Sequence, residues 1–157
     1  MSTVYLGLGS NTGDKQTHIR SALSHLSGKV GKILALSDFH QTQPWGYVSQ
    51  ETYLNVAVAI ETTLNPATLL AVTQAIEKTV GRRDKTINGV YRDRIIDIDI
   101  LLYDDLIIQS SNLTIPHPLM HQRTFVLHPL AEIAPHVIHP VLKKTIAELS
   151  FISSTTG

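Results

Sequence analysis

The sequence predicts an α+β fold. Segments with strand and helix patterns follow one another in the order β, α, β, β, α, β, and further short β segments come after them. Apolar residues at positions 19, 22, 23 and 26 recur at the spacing of one helix face. Residues 53–61 alternate as in a strand, with one face formed by Leu54, Val56, Val58 and Ile60.

Turn and capping residues set the other expected boundaries in the first half. We expect strands at residues 4–8 and 32–39, with a tight turn at the glycines of the first and a helix end at Gly28. Residues 40–52 read as a long polar loop, a type of segment that is often functional. In the second helix, Asn65 is the expected cap, Pro66 suits the first turn and Gly81 can end it.

The second half begins with a polar loop at residues 82–94 and a strand at 95–103. Residues 106–108 are expected to pair back on that strand as a hairpin, and proline residues make 114–118 a rigid segment. Residues 125–130 fit a helix or a strand equally, and 146–151 suggest a short helical turn. The chain has the size of one domain, so we expect residues 1–157 to form a single unit with a frayed tail at 153–157.

Composition excludes several classes of protein. Thirteen basic and thirteen acidic residues give a formal net charge of zero, which argues against a nucleic-acid-binding or membrane-surface protein. Without cysteine there is no disulfide, no thiolate metal site and no cysteine nucleophile. The first residues lack the features of a signal peptide, and no apolar run approaches the ~18 residues of a membrane span. We therefore expect a cytoplasmic globular domain.

Two aspartates inside an apolar strand are the strongest local signal. Asp97 and Asp99 are two residues apart, so their side chains point to one face of the strand, while Ile96, Ile98 and Ile100 fill the other. Paired carboxylates repel one another and suit Mg²⁺, which is commonly held by one or two carboxylates plus substrate phosphates. Spacing alone equally allows two solvated acids on an exposed face.

Basic residues are concentrated immediately before these aspartates. Arginine side chains bind phosphate oxygens in a bidentate manner, so a loop of this kind beside a metal site suits a polyphosphate. A solvated charged loop is the alternative, and it is the usual explanation for a charge run on its own. The loop contains Arg82, Arg83, Lys85, Arg92 and Arg94.

Tyr53 and Asn55 share one face of the strand at 53–61. An asparagine amide offers both a donor and an acceptor, which suits the edge of a heterocyclic ring, and a neighbouring aromatic can pack against the ring face. Taken alone, the pair is better explained as an ordinary strand tyrosine and a surface asparagine. Other motifs are incomplete: the histidines lack HExxH, Ser10 is not in GxSxG, and the glycines form neither GxGxxG nor a Walker loop.

Together, these segments resemble one family closely, the 6-hydroxymethyl-7,8-dihydropterin pyrophosphokinases. The resemblance extends from Tyr5 to about Leu149 and depends on an ordered set of motifs rather than on any single one. The matching segments are LGLGSN at 6–11, TQPWG at 42–46, YLN at 53–55, the helix end with Gln74, Glu77, Gly81 and Arg82, RIIDIDIL at 94–101, IPHP at 115–118, and RTFVL at 123–127 followed by Pro129 and Leu130.

The resemblance implies a ferredoxin-like antiparallel sheet with helices on both faces, a three-layer α/β/α arrangement. It implies a monomer that uses ATP and 6-hydroxymethyl-7,8-dihydropterin, with two Mg²⁺ ions at Asp97 and Asp99, which with Arg82 and Arg94 form the catalytic set. The family's pterin pocket matches Thr42, Pro44, Trp45, Tyr53, Asn55 and Phe125. Its ATP site matches Gln74, Glu77, Arg82, Arg94, Ile100, Thr114, His117 and Arg123.

The loop at 82–94 departs from the family pattern. The family carries a further arginine two places after its Gly-Arg pair, where this chain has Asp84, and a Trp-Gly-Pro-Arg run where this chain has residues 91–94. We expect Tyr91 to replace the family's lid tryptophan.

Two rival functions remain open at this point. One is another ATP-using transferase of similar fold acting on a different heterocycle, and the other is a non-catalytic domain that senses a nucleotide. Asn55 and Phe125 favour the pterin, and the paired aspartates favour catalysis. A purely structural domain leaves both the basic loop and the aspartate pair unexplained.

Overall fold

A computed structural model of the protein describes residues 1–42, 52–81 and 95–156. Five strands form the main sheet in the order β2-β4-β1-β5, with β3 pairing along the same edge of β4 as β2, and every pair is antiparallel. The strands are β1 (Ser2–Ser10), β2 (Gly31–Leu36), β3 (His40–Thr42), β4 (Tyr53–Thr62) and β5 (Asp97–Tyr103). A separate ribbon pairs β6 (Ile108–Gln109) with β7 (Thr114–Ile115).

Helices cover both faces of the main sheet. On one face, α1 (Lys15–Lys29) packs against β1 and α2 (Pro66–Gly81), and α2 also packs against β5. On the other, α3 (Thr124–Ile133) lies on β4 and carries α4 (Ile146–Thr156), with a 3₁₀ helix at Met120–Gln122 beside them. The expected three-layer, ferredoxin-like α+β fold is confirmed. Within the described ranges, no helix is both long enough and apolar enough to span a membrane.

Strand alternation divides the buried residues into two cores. Val4, Leu6 and Leu8 of β1 point toward α1 and α2, where they join the larger cluster. The opposite face of the sheet contributes Ala57 and Leu101 to a smaller cluster formed with α3, α4 and the 3₁₀ helix. Because the central strands are covered on both sides, they read as nearly continuous apolar runs.

A β-bulge in β5 interrupts the alternation of its side chains between the two cores. Leu6 pairs with Ile100 and Tyr5 with Leu102, which leaves Leu101 as the extra residue. The alternation is therefore interrupted, and Leu101 and Leu102 both enter the smaller core. Before the bulge the alternation is regular, with Ile98 and Ile100 in the larger core.

Several boundaries from the sequence hold, and the cap of α2 is one of them. The side-chain oxygen Oδ1 of Asn65 accepts a hydrogen bond from the backbone N–H of Thr68 at 2.8 Å, which confirms the predicted start of the helix. The ambiguous segment at 125–130 is helical and belongs to α3. The predicted loop at 40–52 begins with the three residues of β3.

Three local expectations were wrong. Residues 106–108 do not return along β5, because Ser110 and Leu113 close a turn through backbone and side-chain hydrogen bonds that pairs β6 with β7. The tail expected to fray from Ser153 is instead part of α4 through Thr156, where the Ser153 hydroxyl lies 2.7 Å from that of Thr124. Gly9 lies within β1 rather than in a tight turn.

Gly31 gives a direct test of the pairing of β2 with β4. A Cβ atom there would lie 1.9 Å from the carbonyl oxygen of Glu61, so Gly31→Ala must displace the strand. We expect it to lower the free energy of unfolding by about 1–3 kcal/mol, the usual cost of overpacking, as measured by urea denaturation. Gly28→Ala is the matched control: no atom lies within 4 Å of its Cβ position inside α1, so we expect a gain of about 0.5–1 kcal/mol. Equal stabilities for the two variants would contradict the described register.

Candidate active site

A cavity of about 720 Å³ lies between the main sheet and the start of α3. Its volume falls in the range of small-molecule binding sites. Strands β1, β3, β4 and β5 supply its floor, and the residues from Leu119 to His128 supply its wall. It unites, from separate parts of the sequence, the predicted site residues Thr42, Tyr53, Asn55, Asp97, Asp99, Arg123 and Phe125.

Asp97 and Asp99 line the cavity together, as the strand spacing predicted. Both are partly buried, whereas Ile98 and Ile100 on the opposite face are 6% and 5% exposed. The two carboxylates therefore project from the same face of β5 into one space. Hard oxygen ligands on a fixed strand are a suitable donor set for Mg²⁺. No group of three or more acidic or histidine side chains able to hold a metal occurs in the described part of the chain.

Glu77 holds the strand segment that carries these aspartates. Its Oε2 atom accepts a hydrogen bond from the backbone N–H of Ile98 at 2.8 Å, so α2 fixes β5 between the two acidic residues. Glu77 does not line the cavity, and neither do the other residues predicted to bind ATP from α2, β5 and β7, which are Gln74, Ile100 and Thr114.

His117 is fixed close to Asp99. Its backbone N–H donates to the carbonyl of Leu101 at 3.0 Å, and its ring Nδ1 accepts from the backbone N–H of Leu119 at 3.2 Å. Burial lowers the pKa of His117; the Asp99 carboxylate opposes this shift and the Arg123 guanidinium adds to it. The ring is accordingly biased toward its neutral form, and because Nδ1 accepts, that form carries its proton on Nε2.

Asn55 lies at the floor of the cavity and is 8% exposed. Its Nδ2 donates to the hydroxyl of Thr42 at 3.2 Å, which joins β4 to β3 across the floor. Gly9 pairs with Asn55 on the neighbouring strand, and a Cβ atom at Gly9 would lie 2.8 Å from Asn55 Oδ1. Glycine is therefore needed here for close side-chain approach, which the sequence alone did not indicate.

Phe125 and Arg123 form the wall at the start of α3. The guanidinium carbon of Arg123 lies 5.8 Å from the centroid of the Phe125 ring, within the range of a cation–π contact. Phe125 is 38% exposed, a large fraction for an aromatic side chain next to a core. The pair thus presents an aromatic surface and a positive charge to the same cavity.

Two histidines in the cavity lining were missed by the sequence reasoning, His40 and His128. His128 lies three residues after Phe125, on the same side of α3, and its Nε2 is 2.7 Å from the hydroxyl of Ser154. The helical spacing from Phe125 was the available signal, but residues 125–130 could not be assigned to a helix. The position of His40 follows from β3, which the sequence did not reveal.

Four predicted site residues lie outside the described part of the chain. Pro44 and Trp45 belong to residues 43–51, and Arg82 and Arg94 belong to residues 82–94, as does Tyr91. Their roles remain predictions.

Comparisons with known proteins identify a family that matches most of the chain. The model of the 7,8-dihydro-6-hydroxymethylpterin-pyrophosphokinase (HPPK) family matches residues 5–135, a span that contains every described residue lining the cavity. A Porphyromonas gingivalis protein named 2-amino-4-hydroxy-6-hydroxymethyldihydropteridine pyrophosphokinase is 48% identical over 141 residues, covering 89% of this chain and 95% of that protein. A protein of the same name from Aquifex aeolicus is 41% identical over 94% of this chain and 90% of its own length.

A solved HPPK-DHPS structure from Plasmodium falciparum has the same fold, with a TM-score of 0.81 at 19% identity. The superposition covers 98% of this chain but 44% of that longer protein. Two relatives are 48% and 41% identical over nearly their whole length, and the family match spans both the paired aspartates and the aromatic wall. This chain belongs to the 7,8-dihydro-6-hydroxymethylpterin-pyrophosphokinase family.

Proposed function

We propose that this protein transfers the β,γ-diphosphate of ATP to the hydroxymethyl group of 6-hydroxymethyl-7,8-dihydropterin, a step in folate synthesis. The products are AMP and the pterin diphosphate. The observation that carries the proposal is that one cavity holds a carboxylate pair together with a buried asparagine and an aromatic wall. The first feature suits a metal-bound phosphate chain and the others suit a flat heterocycle.

The heterocycle would lie between Asn55 and Phe125. The Asn55 amide is held by Thr42, so it can read the hydrogen-bonding edge of the ring without first being ordered. Phe125 and Tyr53 border the same space and offer flat apolar surfaces to the ring faces. This preorganisation favours a planar ring with donors and acceptors along one edge.

Asp97 and Asp99 would hold two Mg²⁺ ions together with the phosphate oxygens of ATP. Such ions neutralise the phosphate chain and stabilise the charge that develops during transfer. The pair on its own is too small a ligand set for a dedicated protein cage, which agrees with the tendency of Mg²⁺ to keep water and substrate oxygens as ligands. Arg123 supplies a further positive charge at the cavity, and Arg82 and Arg94 are proposed to add others.

The reaction is a single displacement. The hydroxymethyl oxygen attacks the β-phosphorus, a new P–O bond forms, and the bond from the β-phosphorus to the bridging oxygen breaks with its electron pair passing to AMP. The hydroxyl proton is lost to solvent. Charge stabilisation and alignment of the two substrates account for most of the catalysis, because no covalent intermediate with the protein is required.

The compartment and assembly state belong to the same proposal. We propose the cytoplasm as the compartment of the enzyme and a monomer as its assembly state. Neither nucleic acid nor membrane is expected as a partner.

The first test is the identity of the nucleotide product. With ATP, Mg²⁺ and 6-hydroxymethyl-7,8-dihydropterin, we expect AMP in amounts equal to the pterin consumed, and no AMP when the pterin is omitted or EDTA is added. Chromatography of the nucleotides measures this directly. Formation of ADP would show attack at the γ-phosphorus and contradict the proposal, and absence of turnover by the folded protein would favour a nucleotide-sensing role.

Asp97→Asn tests the metal assignment with almost no change in shape. Losing one carboxylate at a divalent metal site removes several kcal/mol of charge stabilisation, so we expect kcat to fall by about a hundredfold to a thousandfold. The Mg²⁺ concentration needed for half-maximal rate should rise. Asp105→Asn, at an exposed turn residue, makes the same chemical change away from the cavity and should leave the rate unaltered. Wild-type kcat in Asp97→Asn would remove Asp97 from the metal site.

Phe125→Ala tests the aromatic wall. By analogy with base stacking, whose loss costs about 1–3 kcal/mol, we expect pterin affinity to fall by about fivefold to a hundredfold while ATP affinity changes less. Titration calorimetry with each ligand separately gives both constants. The matched control is Phe151→Ala on α4, a residue that is 71% exposed and does not line the cavity. Equal losses for pterin and ATP would argue against a ring-stacking role.

A further inference from the structure

A single carboxylate joins α3 to the β3 side of the cavity. Glu132, near the end of α3, uses both of its oxygens: Oε1 accepts from the backbone N–H of Asp38 at 2.9 Å, and Oε2 lies 2.6 Å from the Nε2 atom of His40. These contacts join segments more than ninety residues apart in the chain. They hold one imidazole in a defined orientation at the edge of the cavity.

His40 is placed beside the residue that reads the heterocycle. It pairs with Asn55 in the β3–β4 ladder, and directly opposed residues of an antiparallel pair project to the same face. Both side chains line the cavity. The imidazole therefore extends the polar floor that Asn55 and Thr42 begin.

The contact with Glu132 decides which ring nitrogen carries the proton. An ionised carboxylate only accepts hydrogen bonds, so Nε2 of His40 must donate. In the neutral ring this leaves Nδ1 as an acceptor with a free lone pair. Among the residues that the structure describes, none donates a hydrogen bond to Nδ1 of His40.

We propose that His40 is a specificity contact for the substrate ring, with Nδ1 accepting a hydrogen bond from an N–H group on the edge of the heterocycle, and that Glu132 is the positioning residue that fixes its tautomer. This inference rests on the proposed function. It assigns to α3 a second task, since the helix carries the stacking residue Phe125 at one end and the carboxylate that orients His40 seven residues later. One element thereby sets both the ring-face contact and the ring-edge contact.

Two substitutions distinguish the direct contact made by His40 from the positioning role of Glu132. His40→Gln keeps an amide N–H that can reach Glu132 but lacks an acceptor at the position of Nδ1. Glu132→Gln keeps an oxygen for the Asp38 N–H but turns an NH₂ group toward His40, which forces Nε2 to accept and Nδ1 to carry the proton. The second change therefore reverses the polarity of Nδ1 without removing the ring.

We expect each substitution to weaken pterin binding by about threefold to tenfold, the range of one neutral hydrogen bond, with ATP binding within twofold of wild type. The double variant should bind pterin no more weakly than His40→Gln, because Glu132 acts through His40. Titration of wild type and variants with the pterin alone and with ATP alone measures these constants. His136→Gln and Asp105→Asn, both at exposed positions, are the matched controls.

Unchanged pterin affinity in His40→Gln would overturn the contact, and additive losses in the double variant would overturn the role of Glu132. Equal losses of pterin and ATP affinity, accompanied by a lower free energy of unfolding, would show a structural clamp and also overturn the proposal. Failure of the wild-type protein to bind pterin is a separate result, because it would remove the proposed function itself. If His40→Gln does not fold, Glu132→Gln alone still decides whether the orientation of Nδ1 affects pterin binding.

Discussion

The pairing of β1 with β4 on one side and β5 on the other determines where the functional side chains lie. Nine consecutive pairs join β1 to β4, and Gly9 stands opposite Asn55 in one ladder and opposite Asp97 in the other. The asparagine and the first aspartate are thus held on either side of a single glycine. A shift of one residue in either ladder would move one of these side chains to the opposite face of the sheet.

Placing two like charges on one face of β5, an edge strand of the main sheet, carries an electrostatic cost, and the surrounding structure shows how it is met. The backbone between Asp97 and Asp99 is fixed by Glu77, and the space above the pair is left open as a cavity rather than filled by core side chains. Ile98 on the reverse face anchors the same segment in the larger core. The acids are therefore rigid in position but solvated, a combination suited to capture of a cation with its phosphate ligands.

Period-2 alternation was sufficient to place both aspartates on one face and to pair Tyr53 with Asn55, because a strand buried on both sides leaves few alternatives for its polar residues. Capping chemistry likewise placed the start of α2. The sequence did not reveal contacts made across long separations, such as that between His40 and Glu132, or the ribbon of β6 with β7. Such contacts depend on tertiary packing, which local propensity does not encode. The ordered motifs of a known family supplied the remaining site residues, of which only those in the described ranges have a known position.

The bulge at Leu101 determines where β5 can lose a residue without turning its other side chains over. Leu101 covers Gly7, whose Cβ position lies 3.4 Å from its Cδ1 atom, and it separates the acidic half of the strand from the half that enters the smaller core. Deletion of the bulged residue would leave the side chains of both halves of β5 on their present faces of the sheet. The ladder between β5 and β1 would then be regular. A residue lost between 97 and 100 would instead rotate a carboxylate into the larger core, where an unpaired charge is very costly. Length variation among relatives should therefore be tolerated at this one point of the strand and excluded from the residues immediately before it.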